Sequence, residues 1–298
     1  MTTSLVTRWL MASSLLIGAA AFAPPTDPPV RAERRAVSIN FRAVVGDRPF
    51  ACGTQYDAIG VSKSTITPSE LRLFVHDVRL VRRDGAEVPI TLEQDATWQT
   101  GGLAMLDFED GTGPCSNGSP ATRTQISGTA DAGEYTGVRF RLGVPFELNH
   151  QDLASLPAPL NVTRMFWSWN GGHKFMRFDV RTATGKSWVL HLGSTGCTPT
   201  GNARTPATAC AQRNEAQIEL RNFDPTQQQI VLDVAALYAQ SDLENNQEGT
   251  AAGCMSAPND RDCGPIFAAL GLPFADTPAA AQRLFRVESV GTAARATR

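Results

Sequence analysis

Hydrophobic and polar residues alternate along most of the chain beyond residue 35. Over 36–45, Val37, Ile39, Phe41 and Ala43 fall on one face and Ser38, Asn40 and Arg42 on the other, the period of a half-buried strand. The pattern recurs over 71–81, and Arg83-Asp84-Gly85 turns it into 88–92, which predicts a hairpin. Further strands are predicted over 103–108, 125–129, 137–142, 174–181, 188–192, 217–220 and 229–234, separated by Gly, Pro, Asn and Asp turn residues. Helical patterns are few and short, over 233–238, 264–271 and 277–285. There is no internal repeat and no alternation of strands with long amphipathic helices, which argues against a doubly wound α/β enzyme. The expectation is an all-β fold: a single antiparallel β-sandwich, Greek-key-like, over 36–288, with long disulfide-bearing loops, a few short helices and a flexible tail over 289–298.

Composition agrees with one large or two small globular domains, with 298 residues, 42% hydrophobic and 19% charged. Lys+Arg 27 against Asp+Glu 29 leaves a net charge of −2, so no basic excess points to a nucleic-acid backbone. Residues 1–23 carry Arg8, an apolar run from Met11 and the ending Ala21-Phe22-Ala23, the shape of a secretory signal peptide. The Pro-rich linker 24–35 follows, and no Cys near the junction offers a lipid site. An exported protein without membrane insertion after cleavage is expected. Six cysteines follow the leader: Cys52, Cys115, Cys197, Cys210, Cys254 and Cys263. In an oxidising compartment they read as disulfides, although six cysteines allow about 15 pairings. Local spacing points to Cys197 with Cys210 and Cys254 with Cys263, leaving Cys52 for Cys115. A thiolate metal site is the competing reading, and it lacks any C-x-x-C pair.

No nucleophile elbow, P-loop, H-E-x-x-H pair or dinucleotide turn is present, so candidate chemistry falls to histidine and tryptophan. His76 interrupts an apolar strand, as either a hydrogen-bonded structural residue or a ligand. His150 stands at a strand exit beside Asp152, where a turn cap is the plainer role. His191 shares a strand face with Val189. His173 lies in the aromatic stretch 167–175 with Trp167 and Trp169, which suits core packing or a recognition tip. Trp98 introduces the Gly101-Gly102 turn, and Asp107, Glu109 and Asp110 beyond it orient a turn more readily than they make a calcium loop.

Several segments together resemble one family: Phe74-Val75-His76-Asp77-Val78-Arg79-Leu80-Val81, Leu106-Asp107-Phe108-Glu109-Asp110-Gly111, 143–150, Met165-Phe166-Trp167-Ser168-Trp169, 191–197 and Gly253-Cys254-Met255-Ser256. They resemble, in order through nearly the whole mature chain, the exported MbnP-like copper-binding proteins of methanobactin operons, the four-Cys members of a metallo-mystery pair. The resemblance implies a periplasmic β-sandwich that binds copper without turnover. It also implies a di-haem cytochrome-peroxidase-like partner that oxidises a tryptophan to kynurenine. Trp98 matches the oxidised residue and His76 a ligand on a neighbouring strand. Imidazole suits copper, and kynurenine offers an aryl amine that indole lacks. The best-known copper-binding members carry a histidine two residues after that tryptophan, where this chain has Thr100, a poor copper ligand; the alternatives are a weaker site, one that borrows His191, His150 or Met105, or no copper binding. A second departure is His173, where the family commonly has Tyr. The alternative function is a non-metal recognition module using a Trp167/Trp169/His173 tip.

Overall fold

The strand Ser64–Arg82 is the spine of the larger sheet. Pro68 hides its first third in the sequence, because proline reads as a strand breaker. Here Pro68 lies opposite Val180 at a register shift, where a missing N–H interrupts no regular ladder. Along one edge the spine pairs first with Met176–Thr182 and then with Tyr135–Leu142. The exchange occurs at Phe74, whose N–H donates to the carbonyl of Phe175 and whose carbonyl accepts from the N–H of Gly143. Along the other edge lie Tyr56–Ile59, Leu103–Asp107 and Glu87–Pro89. Ala216–Arg221, Ser187–Leu192 and Gly253–Cys254 extend the sheet outward.

The smaller sheet runs Phe285–Ser289, Gln228–Asp233, Arg34–Val45, Gln125–Asp131, Thr91–Leu92. Ile39, Phe41 and Ala43 are buried as the alternation predicts. Phe41 meets Phe140 of the larger sheet edge-on at 5.9 Å, and Phe140 meets Phe285 at 5.3 Å, so the two sheets pack face to face as a sandwich. Leu71, Leu73, Val75, Val78 and Leu80 supply the spine's share of this core. The step from Val75 to Val78 keeps both inward because Asp77 adopts φ 51° at a register shift, a bulge that inserts a residue without moving the apolar face outward.

The computed structural model describes Met1 and residues 33–169, 171–199 and 206–291. Residues 2–23 of the predicted leader, all of the linker except residues 33–35, and residues 292–298 of the tail lie outside the described residues; Arg34 and Arg35 of the linker already belong to the first strand. Among the described residues no helix is long and apolar enough to cross a membrane. Two pairings among the described residues depart from an antiparallel sandwich: Arg34–Val45 runs parallel to Gln228–Asp233, and Ser187–Leu192 runs parallel to Gly253–Cys254. The helix expected over 277–285 is absent. Residues 275–281 are exposed and so have no face to pack, and a helix nucleus without tertiary burial is unfavourable. Helices Val234–Tyr238 and Cys263–Leu270 form as expected, the first capped by the Asp233 carboxylate.

All three expected disulfides are present: Cys52–Cys115, Cys197–Cys210 and Cys254–Cys263. The last ties helix Cys263–Leu270 to the edge strand. The second joins the hairpin Thr195–Thr198 and Ala209–Gln212, closing a separation of 13 residues; a loop of that order contributes about 3 kcal/mol in the chain-entropy account.

Candidate metal centre

Strand alternation puts Glu70, Arg72, Phe74 and His76 on the face of the spine opposite the core. That face is not solvent: all four are buried, beneath the segment 146–175. Its middle is ionic. Arg72 donates to both Glu70 oxygens, at 2.6 and 2.9 Å, and pairs with Glu109 at 2.9 Å and Asp107 at 4.0 Å. Arg177, one strand over, bridges Glu70 at 3.0 Å and Asp179 at 2.6 Å. Burial, opposed by Arg72 and reinforced by Glu109, pushes Asp107 up to about 8, and burial raises Glu109 as well. Burial, reinforced by Arg177, brings Lys174 down to about 8. Four carboxyl groups thus face three cations, and a proton held on the Asp107/Glu109 pair removes the excess negative charge. The acidic segment 107–110 therefore serves this network; Asp110 turns away to accept from Thr112.

His191 belongs to the same network. Its Nε2 lies 3.0 Å from Asp179 Oδ1 and 3.2 Å from Arg177 Nε. Burial holds the imidazole below its ordinary range, against the pull of Asp179, so the ring is neutral. His76 sits at the edge of the face, just before the Asp77 bulge. Its Nε2 is 3.2 Å from Glu215 Oε2, and it lines a cavity of about 790 Å³ with Asp77, Arg141, Phe146, Arg213 and Glu215.

Trp98 is half-buried on a hairpin that pairs with Leu103–Asp107. One oxygen of Asp95 accepts the N–H groups of Thr97, Trp98 and Gln99 at 3.0, 2.7 and 2.9 Å. Burial opposes ionisation of Asp95, but these donors together with Arg123 keep its carboxyl below the usual range. Gln99 reaches across to the smaller sheet, donating to Ser127 O and accepting from Ser127 N–H. Gly101, at φ 56°, makes the tight turn between the two strands. The Trp98 carbonyl accepts from Met105 N–H, and Met105 pairs in register with Phe74. Trp98 therefore shares a row with Met105, while Thr100 shares a row with Leu103 and His76. Trp98 and Met105 line one cavity of about 500 Å³ with Asp107, Asn161 and Arg164.

His150 lies elsewhere, buried beside the Cys197–Cys210 disulfide. Its Nδ1 is 3.0 Å from Gly171 O, and its Nε2 is 3.1 Å from Asn149 Nδ2 and 3.2 Å from Cys210 Sγ. Burial depresses its pKa. His173 is fully buried between the carbonyls of Asn149 and Leu160, at 2.9 Å each, and Trp167 is 3% exposed. Of the proposed recognition tip only Trp169, 56% exposed, faces outward. His173 and Trp167 are core residues because the hairpin lies down over the ionic face instead of projecting from it.

The four candidate ligands thus occupy separate places. His76 and Trp98 share a sheet face, two strand spacings and two residues apart, about 12 Å between backbones. His191 is committed to Asp179, and His150 faces a disulfide. Of the three substitutes for the missing histidine, Met105 alone lies in Trp98's row and cavity. Glu215 as the partner of His76, and the Glu70–Arg72–Arg177–Asp179 network, escape sequence reading; the one signal was charged residues alternating within an otherwise apolar strand. As a fit for copper, the Trp98 cavity offers a thioether and a carboxyl, and the His76 side an imidazole and a carboxylate, donor types copper accepts.

The family model described as MbnP matches residues 34–256. Among solved structures the chain is similar to MbnP from Methylosinus trichosporium, at 31% identity and a TM-score of 0.76, over 87% of this chain and 100% of that one. No curated protein matches.

Proposed function

The chain belongs to the MbnP family, and from that premise we propose that it is an exported, periplasmic copper-binding protein with no turnover of its own. In this reading a di-haem peroxidase-like partner uses two equivalents of peroxide to oxidise Trp98 to kynurenine: the indole C2–C3 double bond is cleaved, C2 leaves as formate, C3 becomes a ketone, and the ring nitrogen is freed as an aryl amine, with one water formed. Copper is held on the sheet face that carries Trp98, Met105 and His76, with Met105 taking the place left by Thr100. The observation that carries the reading is the position of Trp98: half-buried, fixed by Asp95, and in one row and cavity with a thioether. A thioether and an aryl amine favour the softer Cu(I) state. The Asp107/Glu109 pair at the floor of that region supplies compensating charge as a cation enters.

The test is purification of the mature protein from its own host, with peptide mass spectrometry at Trp98 and copper measured on the same sample. Kynurenine with bound copper is expected, and His76→Ala and Met105→Leu should each lower copper retention. Unmodified Trp98 without copper would overturn the reading, as would full retention in both variants.

A further inference from the structure

The imidazole of His150 is oriented toward a pair of sulfurs. Its Nε2 lies 3.2 Å from Cys210 Sγ and 3.8 Å from Cys197 Sγ, and the three atoms lie within 4.8 Å of one another. The Gly171 carbonyl at 3.0 Å from Nδ1 fixes the ring proton there and leaves the lone pair on Nε2, where the Asn149 amide donates at 3.1 Å in the disulfide form and must give way to the metal. That is the outer support a metal-bound histidine ordinarily has. Gly172 is required at this place, since a Cβ on it would come within 2.8 Å of His150 Cε1. A disulfide is a poor ligand, whereas two thiolates and an imidazole form a soft three-coordinate set.

We propose that the Cys197–Cys210 disulfide is a redox gate: reduced by a dithiol, it exposes a site of His150 Nε2, Cys197 Sγ and Cys210 Sγ that takes Cu(I). Cys210 is the half-buried partner and Cys197 the buried one, so the incoming thiolate attacks Cys210 Sγ and Cys197 leaves as thiolate. The second thiol of the reductant then displaces Cys210 and departs as the reductant's own disulfide. Two electrons and two protons pass to the protein, and the two protons leave when the metal binds. The other bridges do not share this arrangement. Cys254 and Cys263 are fully buried and have no histidine in a comparable cluster among the described residues. Glu109 beside Cys52–Cys115 is already paired with Arg72.

This site is independent of Trp98 and His76, so it is tested in a Trp98→Phe/His76→Ala background of the full mature chain. Oxidised and dithiothreitol-reduced protein, freed of reductant without air, are titrated with Cu(I) against a chromophoric Cu(I) chelator, and thiol alkylation with mass spectrometry identifies the opened bridges. The reduced protein should bind one equivalent more than the oxidised protein, with a thiolate-to-copper charge-transfer band. Cys197→Ser/Cys210→Ser should abolish the added equivalent. His150→Gln, which keeps the disulfide, should weaken it by about tenfold or more. Equal stoichiometry in the two redox states, survival of the added equivalent in the Cys variant, an unchanged affinity in His150→Gln, or loss of the far-ultraviolet dichroism on reduction would each overturn the proposal.

Discussion

Replacing Arg72 with Met keeps most of the side-chain volume and removes the charge at the centre of the covered face. The Arg72 side chain is 5% exposed, and its acceptors Glu70, Asp107 and Glu109 are 1%, 1% and 0% exposed. After the substitution Glu70 keeps Arg177 at 3.0 Å, while Asp107 and Glu109 lose their cation. Breaking a buried ion pair from one side costs about 3–5 kcal/mol. A buried carboxyl can relieve part of this by binding a proton, so the loss depends on pH. In the native protein Asp107 already stands at about 8 and Glu109 is raised, with burial the larger influence and Arg72 opposing it. Without Arg72 both rise further. A carboxyl whose folded pKa exceeds its unfolded pKa carries more protons folded than unfolded, so stability falls as pH rises through that window. The variant's window extends upward, so its deficit is small near about pH 4 to 5 and reaches its full size above about pH 8. Urea unfolding followed by tryptophan fluorescence, with disulfides intact, measures this directly. The expected deficit is about 3 kcal/mol or more at the alkaline end, partly recovered in Arg72→Met/Asp107→Asn/Glu109→Gln. A deficit under about 1 kcal/mol there, or one that grows as pH falls, would refute the electrostatic account of this face.

Two further outcomes follow from burial. Imidazole titration by NMR should place His150, His173 and His191 below the ordinary histidine value, each mainly through burial; their stabilising contribution is complete above about pH 6.5 and is lost as pH falls toward the lowered folded values. An ordinary midpoint at any of the three would contradict its placement. Trp167→Ala should cost about 3–5 kcal/mol in chemical unfolding, whereas Trp169→Ala should stay within about 0.5 kcal/mol of the parent; the reverse order would restore the hairpin as a projecting tip.

Much of the sandwich is legible from alternation, because a strand packed on one face must repeat every two residues. The core positions Ile39, Phe41, Leu71 and Leu73 and most strand locations come from that period alone. The helix expected over 277–285 shows where local propensity has no packed face to support it. The disulfide pairs over separations of 13 and 9 follow from proximity along the chain, and the Cys52–Cys115 bridge then follows by elimination.

Period two says which residues share a face and leaves open what covers it. Glu70, Arg72, Phe74 and His76 lie opposite the core, and nothing in their spacing announces that the segment 146–175 folds over them. That cover makes this face a buried charge network, commits His191 to a hydrogen bond with Asp179 and draws His173 and Trp167 inward. The sequence by itself pointed to most of the strands, to the bridge pairing that local spacing favours and to the family resemblance, since these rest on local period, short loops and contiguous motifs. Tertiary structure alone decided that Met105 joins Trp98 in one row while His76 stands in the next, and that His150 faces the Cys197–Cys210 sulfurs. Strand register and loop packing are set by contacts between residues far apart in the chain, which no local pattern encodes.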